Sequence, residues 1–388
     1  MIVVKGEYTY PNGRTVKLEF EMNDREKVFL TGKTGSGKST LLRVLNGLIP
    51  EVYGGKLRGT VSIYGSTGNN RDVFLITQYP EEQILCETVV EEVAFPLVQR
   101  GLEWKEAVEI AFNTLKKLEL EEIAEKKTFE LSDGQKQAVI VCEALACDCK
   151  CIAIDELAHL HPDLVKNVVS YLLKDKRAIV LSEHRKELSE GFDRIVKVAG
   201  GGIELRIRKN RSSGKEVGKP LVIAKNAVVY RGNRKIIDKL SFTLREGESL
   251  AVVGKNGAGK TSLLRAIAGF EKCEGIEING KVGMAFQYPG YGLSSFRVAD
   301  ETQYIEGLTL SERHPHSLSG GEKRLVAVLK ALKYKIVLLD EPSAGMDEEL
   351  RYSLVKNVIE ICREEKKAVI IATHDEKIPE MCDKVIEL

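Results

Sequence analysis

One ordered set of motifs occurs twice in this 388-residue chain, the second set beginning about 220 residues after the first. A repeat of that size and order obliges the chain to fold as two versions of one domain. The first set runs Gly32-Lys33-Thr34-Gly35-Ser36-Gly37-Lys38-Ser39, Gln78, Leu131-Ser132-Asp133-Gly134-Gln135, Cys151-Ile152-Ala153-Ile154-Asp155-Glu156 and His184. The second runs Gly254-Lys255-Asn256-Gly257-Ala258-Gly259-Lys260-Thr261, Gln287, Leu318-Ser319-Gly320-Gly321-Glu322, Ile336-Val337-Leu338-Leu339-Asp340-Glu341 and His374. Between them, Gly200-Gly201-Gly202 and the basic, polar stretch Arg206 to Lys219 punctuate the chain. One domain is therefore expected at 1–208, a connector at 209–219 and a second domain at 220–388. The connector's basic residues suit either a solvated linker or contact with phosphates of lipid or RNA.

Period and punctuation give the architecture. Val28-Phe29-Leu30 and Leu250-Ala251-Val252-Val253 are short apolar runs ending in glycine loops, after which Leu41, Leu42, Val44, Leu45 and Leu263, Leu264, Ile267 recur at helical spacing. That is strand, phosphate loop, helix, in an α/β chain. The runs 152–154, 178–181, 337–339 and 369–372 read as buried parallel strands, whose ligands sit at their carboxyl ends. In a G-x-x-x-x-G-K-[ST] loop, glycines let backbone N–H groups wrap phosphates while the helix N-terminus adds partial positive charge. Lys38 and Lys260 would reach the β- and γ-phosphates, and Ser39 and Thr261 would offer hydroxyls to Mg²⁺, with Thr40 and Ser262 completing each loop. Asp155 and Asp340 end apolar strands, where an unpaired carboxylate is costly and a cation explains it. Glu156 and Glu341 are suited to polarise an attacking water as general bases.

In this order the motifs resemble those of the ATP-binding-cassette (ABC) ATPase family, twice over nearly the whole chain. The resemblance implies two P-loop nucleotide-binding domains, each with a RecA-like parallel-sheet core, an antiparallel β subdomain and a helical subdomain. It implies ATP and Mg²⁺ as ligands. It also implies an internal pseudo-dimer closing head to tail, so that each ATP lies between one copy's phosphate loop and the other's signature, Ser132 and Gly134 or Ser319, Gly320 and Gly321. By the same resemblance Gln78 and Gln287 sense Mg²⁺ and water, and His184 and His374 are γ-phosphate switches. Tyr10 and Tyr230 resemble the aromatic residue that stacks on adenine, and ordinary packing accounts for them equally well.

The stretch Gln78-Tyr79-Pro80-Glu81-Glu82-Gln83-Ile84-Leu85-Cys86-Glu87-Thr88-Val89-Val90-Glu91-Glu92-Val93-Ala94-Phe95 resembles the energy-coupling-factor (ECF) transporter ATPases. That implies uptake of a vitamin or of cobalt or nickel, through a transmembrane coupling protein and a substrate-binding membrane protein. A soluble tandem ABC protein acting on ribosomes or nucleic acid is the alternative, and a regulatory nucleotide-binding module a third, against which the retained Glu156 and Glu341 speak. No apolar run approaches the roughly 18 residues of a spanning helix and residues 1–5 lack signal-peptide regions, so the chain is expected in the cytosol, peripheral on the membrane's cytoplasmic face. A net charge of +1 gives no broad attraction to nucleic acid, and no nucleic-acid partner is expected. Cys147, Cys149 and Cys151 lack ligand spacing and read as small buried hydrophobes.

The copies are unequal. Leu157 and Pro162 replace the proline and aspartate of the second copy's Pro342 and Asp347, and Asp133 replaces a signature glycine. Gln78 to Leu131 spans 53 residues but Gln287 to Leu318 only 31, so the second helical subdomain is short. On head-to-tail pairing the site with Lys38, Asp155, Glu156 and His184 receives the intact Ser319, Gly320, Gly321 and Asp347, and should hydrolyse ATP faster. Steady-state rates should therefore fall further for Glu156→Gln than for Glu341→Gln; equal losses, or the reverse order, would remove this asymmetry.

Overall fold

Strands buried on both faces organise each half of the chain. The computed structural model describes every residue except Asn12, 66–71, His159, His161, 199–217, Asn233, Asn256, Gln303 and 305–309. It comprises two units, Met1–Gly202 and Ile203–Leu388, and the expected connector at 209–219 lies almost wholly outside the described residues.

The first unit runs β1 (Ile2–Thr9), β2 (Thr15–Met22), β3 (Lys27–Thr31), α1 (Lys38–Asn46), α2 (Leu48–Glu51), β4 (Lys56–Ile63), β5 (Val73–Ile76), α3 (Val89–Gln99), α4 (Trp104–Lys117), α5 (Asp133–Ala146), β6 (Cys151–Asp155), α6 (Pro162–Lys174), β7 (Ala178–Ser182) and β8 (Arg194–Lys197). The second runs β9 (Pro220–Arg231), β10 (Arg234–Arg245), β11 (Ser249–Val253), α7 (Lys260–Ile267), β12 (Cys273–Ile278), β13 (Val282–Ala285), α8 (Val298–Glu301), α9 (Gly320–Ala331), β14 (Ile336–Asp340), α10 (Glu348–Glu364), β15 (Ala368–Ala372) and β16 (Lys384–Glu387).

The repeat holds at the level of topology. A parallel sheet ordered β5-β6-β7-β3-β8 in one unit matches β13-β14-β15-β11-β16 in the other, and antiparallel sheets β2-β1-β4 and β10-β9-β12 also correspond. All residues of β6, β7, β14 and β15 are buried, the pattern of a parallel sheet covered on both faces. β2 instead alternates exposed and buried, with Val16, Leu18, Phe20 and Met22 turned inward against α1 and the sheet's near face. The far face packs on α3, α4, α5 and α6 through Val93, Leu115, Ile140 and Val168. Cys147 and Cys149 are buried there, with Arg177 NH1 donating to Cys149 Sγ at 3.5 Å, Cys151 is buried on the near face, and among the described residues no group of three or more His, Cys, Asp or Glu could hold a metal ion.

The expected difference in helical subdomains is present. Between the glutamine segment and the signature the first unit builds α3 and α4, whereas the second shows only the four-residue α8 among its described residues. One buried carboxylate survives in both. Glu92 accepts N–H bonds from Leu85 (2.9 Å) and Cys86 (2.6 Å), and Glu301 accepts them from Ser294 (2.6 Å) and Ser295 (2.7 Å). Lys330 on α9 pairs with Glu301 at 2.7 Å, but the same position on α5 is Glu143. Burial, aided by the charge of Glu92, pushes the Glu143 carboxyl up to about 8.

An acid whose folded pKa is raised stabilises the fold only while protonated. Stability of the first unit should thus be full below about pH 4.5 and fall as pH climbs toward 8. Glu143→Gln should raise that unit's unfolding free energy at pH 8 by up to about 3 kcal/mol and change little at pH 4.5. Urea titrations at the two pH values check this.

Candidate active site

The phosphate loops form where a buried strand must turn sharply into a helix. Gly32, Gly35 and Gly37 have φ of +155°, +81° and +107°, and Gly254, Gly257 and Gly259 repeat them at +150°, +85° and +105°. Only glycine meets these values freely, and it leaves room as well. A Cβ on Gly37 would lie 2.6 Å from Val16 Cγ1, and one on Gly259 2.8 Å from Ile236 Cγ2. Helices α1 and α7 begin at Lys38 and Lys260, whose ammonium groups donate back to the loop carbonyls of Gly32 (2.8 Å) and Gly254 (2.7 Å). Each lysine therefore stands where a phosphate held by the loop would meet it. Ser36 Oγ is buried without a hydrogen-bond partner among the described residues, and Arg14, which the motifs did not single out, donates to Gly35 O at 2.5 Å. Asn256 lies outside the described residues.

At the carboxyl ends of β6 and β14 the metal-type donors gather. Ser39 hydrogen-bonds Asp155, and Thr261 Oγ1 donates to Asp340 Oδ1 at 3.2 Å. Burial raises both aspartate carboxyls, Asp340 to about 6. A hydroxyl beside a desolvated carboxylate suits Mg²⁺, a hard cation that prefers oxygen ligands and would relieve the cost of that burial. These residues fit the ion that the resemblance implies.

Glu156 and Glu341 follow with φ of +69° and +48°, left-handed values rarely taken by residues with a side chain. Gln78 Nε2 donates to Glu156 Oε2 at 3.1 Å, and His184 Nε2 lies 3.3 Å from Oε1. Burial alone would raise the Glu156 carboxyl, but the hydrogen bond and charge of His184, with Lys38 and Arg185, hold it below its ordinary value. In the second unit His374 meets Glu341 Oε2 through Nδ1 at 2.9 Å, and that bond raises the histidine's pKa. The His374 side chain is 63% exposed against 11% for His184, so equivalent histidines reach equivalent glutamates in different settings.

The signature serines are helix caps. Ser132 and Ser319 accept from the N–H of Gln135 and Glu322, whose side chains reach back to the serine N–H, the reciprocal capping box. The helix start is open at Ser132 of α5, whereas Gly320, Gly321 and Glu322 at the start of α9 are buried; at either, free first-turn amides favour an anion. Glu322 differs from Gln135 because Arg313 NH1 meets it at 2.9 Å, both side chains being almost wholly buried. Asp347 caps α10 by accepting from Leu350 N at 3.0 Å, whereas α6 starts at Pro162. The Tyr10 hydroxyl bonds that of Thr40 beside the first loop, and Tyr230 lies under Lys272 Nζ at 5.2 Å.

Two phosphate loops, each facing a strand-end Asp-Glu pair, define a P-loop ATPase. A family profile described as ABC transporter matches residues 16–159 and 237–344, and the chain belongs to that family: it is an ABC ATPase with two cassettes. A protein of Treponema denticola provisionally named an ABC transporter ATP-binding protein is 26% identical over 94% of this chain and 89% of its own length. A Bacillus subtilis protein provisionally named an HMP/thiamine import ATP-binding protein is 27% identical over 96% of this chain and 86% of its own. In fold the chain resembles an archaeal ribosome recycling factor solved with the ribosomal stalk protein aP1, with a TM-score of 0.59 at 20% identity over 99% of this chain and 87% of that one.

Because Glu322 neutralises a buried Arg313, Glu322→Gln should cost the second unit about 3 kcal/mol. Denaturant unfolding should show most of that loss recovered when Arg313→Met is added, since neither charge then remains.

Proposed function

We propose that this chain is the ATP-hydrolysing subunit of a membrane transporter of the ECF type, taking up a vitamin or cobalt or nickel through separate transmembrane coupling and substrate-binding proteins. The observation that carries the reading is the folding of 78–95 into one hydrogen-bonded piece. Gln83 accepts from Thr77 N at 2.7 Å and donates to Leu75 O at 2.8 Å, Lys136 of α5 pairs with Glu81 at 2.7 Å, and Thr88 and Glu91 cap α3. Glu92 closes the piece, which leaves Leu85 73% exposed on its surface. A motion of the glutamine loop is thereby passed rigidly to α3, and an exposed leucine there suits an apolar helix of a membrane partner. Of this stretch the second unit keeps the beginning, Gln287-Tyr288-Pro289, and the buried carboxylate Glu301. Relatives matched over nearly their whole length bear transporter names, one of them for HMP/thiamine import, which supports the vitamin branch.

In each site the loop and Lys38 or Lys260 hold the β- and γ-phosphates. Ser39, Asp155 and Gln78, or Thr261, Asp340 and Gln287, would hold Mg²⁺, which offsets the charge gathering on the transferred phosphoryl group. Glu156 or Glu341 takes a proton from the attacking water while His184 or His374 fixes the carboxylate. Among the described residues no helix is long and apolar enough to cross a membrane, so attachment to the cytoplasmic face comes through the partners. The likeness to the ribosome recycling factor is one of fold.

Affinity purification of the tagged chain from detergent-solubilised membranes, read by mass spectrometry, should recover transmembrane proteins in fixed stoichiometry. Their recovery should fall for Leu85→Asp at unchanged ATPase rate. Ribosomal proteins without any membrane protein would overturn the reading.

A further inference from the structure

We propose that Gln137 on α5 and Arg324 on α9 are positioning residues for hydrolysis, each fixing the main chain of the glutamate that activates water; this rests on the reading of Glu156 and Glu341 as general bases. Both glutamates occupy the left-handed region, a strained conformation that persists only where neighbours over-determine it. On the amide side the neighbouring strand supplies the restraint: Glu156 N donates to Ser182 O at 3.0 Å, and Glu341 N to Ala372 O at 2.9 Å. On the carbonyl side the restraint comes from the signature helix. Gln137 Nε2 donates to Glu156 O at 3.0 Å, and Arg324 NH1 to Glu341 O at 2.5 Å.

Gln137 and Arg324 hold the same place, five residues after Ser132 and Ser319. They are 0% and 2% exposed. A neutral amide and a guanidinium differ in length, charge and the cost of burial, so their convergence on one acceptor marks the acceptor as the feature retained. The two units also tie in the glutamine segment by different bonds. In the second, Arg324 NH2 donates to Gln287 O at 2.9 Å; in the first, Gln78 Nε2 donates to Glu156 itself. In each unit the start of the signature helix, the glutamine segment and the base form one fastened group. A shift of α5 or α9 moves the carboxylate against Lys38 or Lys260 of the same unit, and displacing a reacting group by about 1 Å can cost roughly a hundredfold in rate.

The test uses the full chain and isolates one site at a time. With Glu341→Gln silencing the second site, Gln137→Leu removes the donor at nearly constant volume. It should lower kcat for ATP at least about tenfold while KM and equilibrium binding of ATPγS stay within about twofold. Gln137→Arg, which installs the donor used by the second unit, should recover most of kcat. With Glu156→Gln as background, Arg324→Gln should retain more activity than Arg324→Met, and if Arg324→Met does not fold, the Gln137 series decides. Unchanged kcat in Gln137→Leu, a parallel fall in kcat and nucleotide affinity, or failure of Gln137→Arg to restore turnover would overturn the positioning role. If Glu156→Gln and Glu341→Gln combined keep full ATPase activity, the base assignment itself fails, a result distinct from those.

Discussion

Two carboxylates at the end of a strand buried on both faces set the terms for everything around them. Asp155-Glu156 and Asp340-Glu341 leave the sheet where water is scarce, so every lone pair must find a partner within the protein or on a ligand. The carboxylates' partners come from the surrounding elements, a hydroxyl from the start of α1 or α7 and a histidine from the turn after β7 or β15, while Gln137 or Arg324 from the signature helix donates to the glutamate's main-chain oxygen. In the first unit Gln78 joins them directly. The left-handed backbone at each glutamate follows from this crowding. The chain must lift one carboxylate out of the sheet's register while its neighbour stays in line with the strand, and the surrounding bonds hold it there.

The two units meet the same demands with different chemistry. Behind α3, Glu92 accepts two backbone N–H groups near a second acid, Glu143, while Glu301 in the same role is paired with Lys330. At the signature, Gln135 closes its capping box uncharged, and Glu322 does so with Arg313 buried against it. At the signature the buried Glu322 is matched by Arg313, whereas Glu143 stands near Glu92 with its carboxyl raised instead. That is the expected behaviour of buried polar groups, where removing one partner costs more than replacing both. Geometry at the glutamate is common to both units although the bonds that enforce it are not.

Much of the site was legible because its chemistry is local in sequence. Glycines at fixed offsets before a lysine dictate a phosphate loop, and an apolar run ending in Asp-Glu places two acids at a strand end. Other residues were invisible in the motifs. Arg14 reaches the first loop from the turn between β1 and β2, and Arg313 meets Glu322 from an irregular segment; nothing in their sequence neighbourhoods distinguishes them from solvated arginines. Gln137 and Arg324 carried one faint signal, equal offset from the signature serines, but unlike side chains hid the shared acceptor.

By itself the sequence determined the duplication, the strand-loop-helix unit and the two later buried strands of each half, the glycine loops and the acids at the strand ends. Periodicity and glycine placement act over a few residues, so they survive being read along a line. Only the tertiary structure decided which ring nitrogen of His184 or His374 meets its glutamate, that both glutamates are left-handed, and that Glu92 lies near the acid Glu143 where Glu301 is paired with Lys330. Those outcomes depend on burial and on partners far apart in the chain, and a side chain's partner in a crowded interior is fixed by packing.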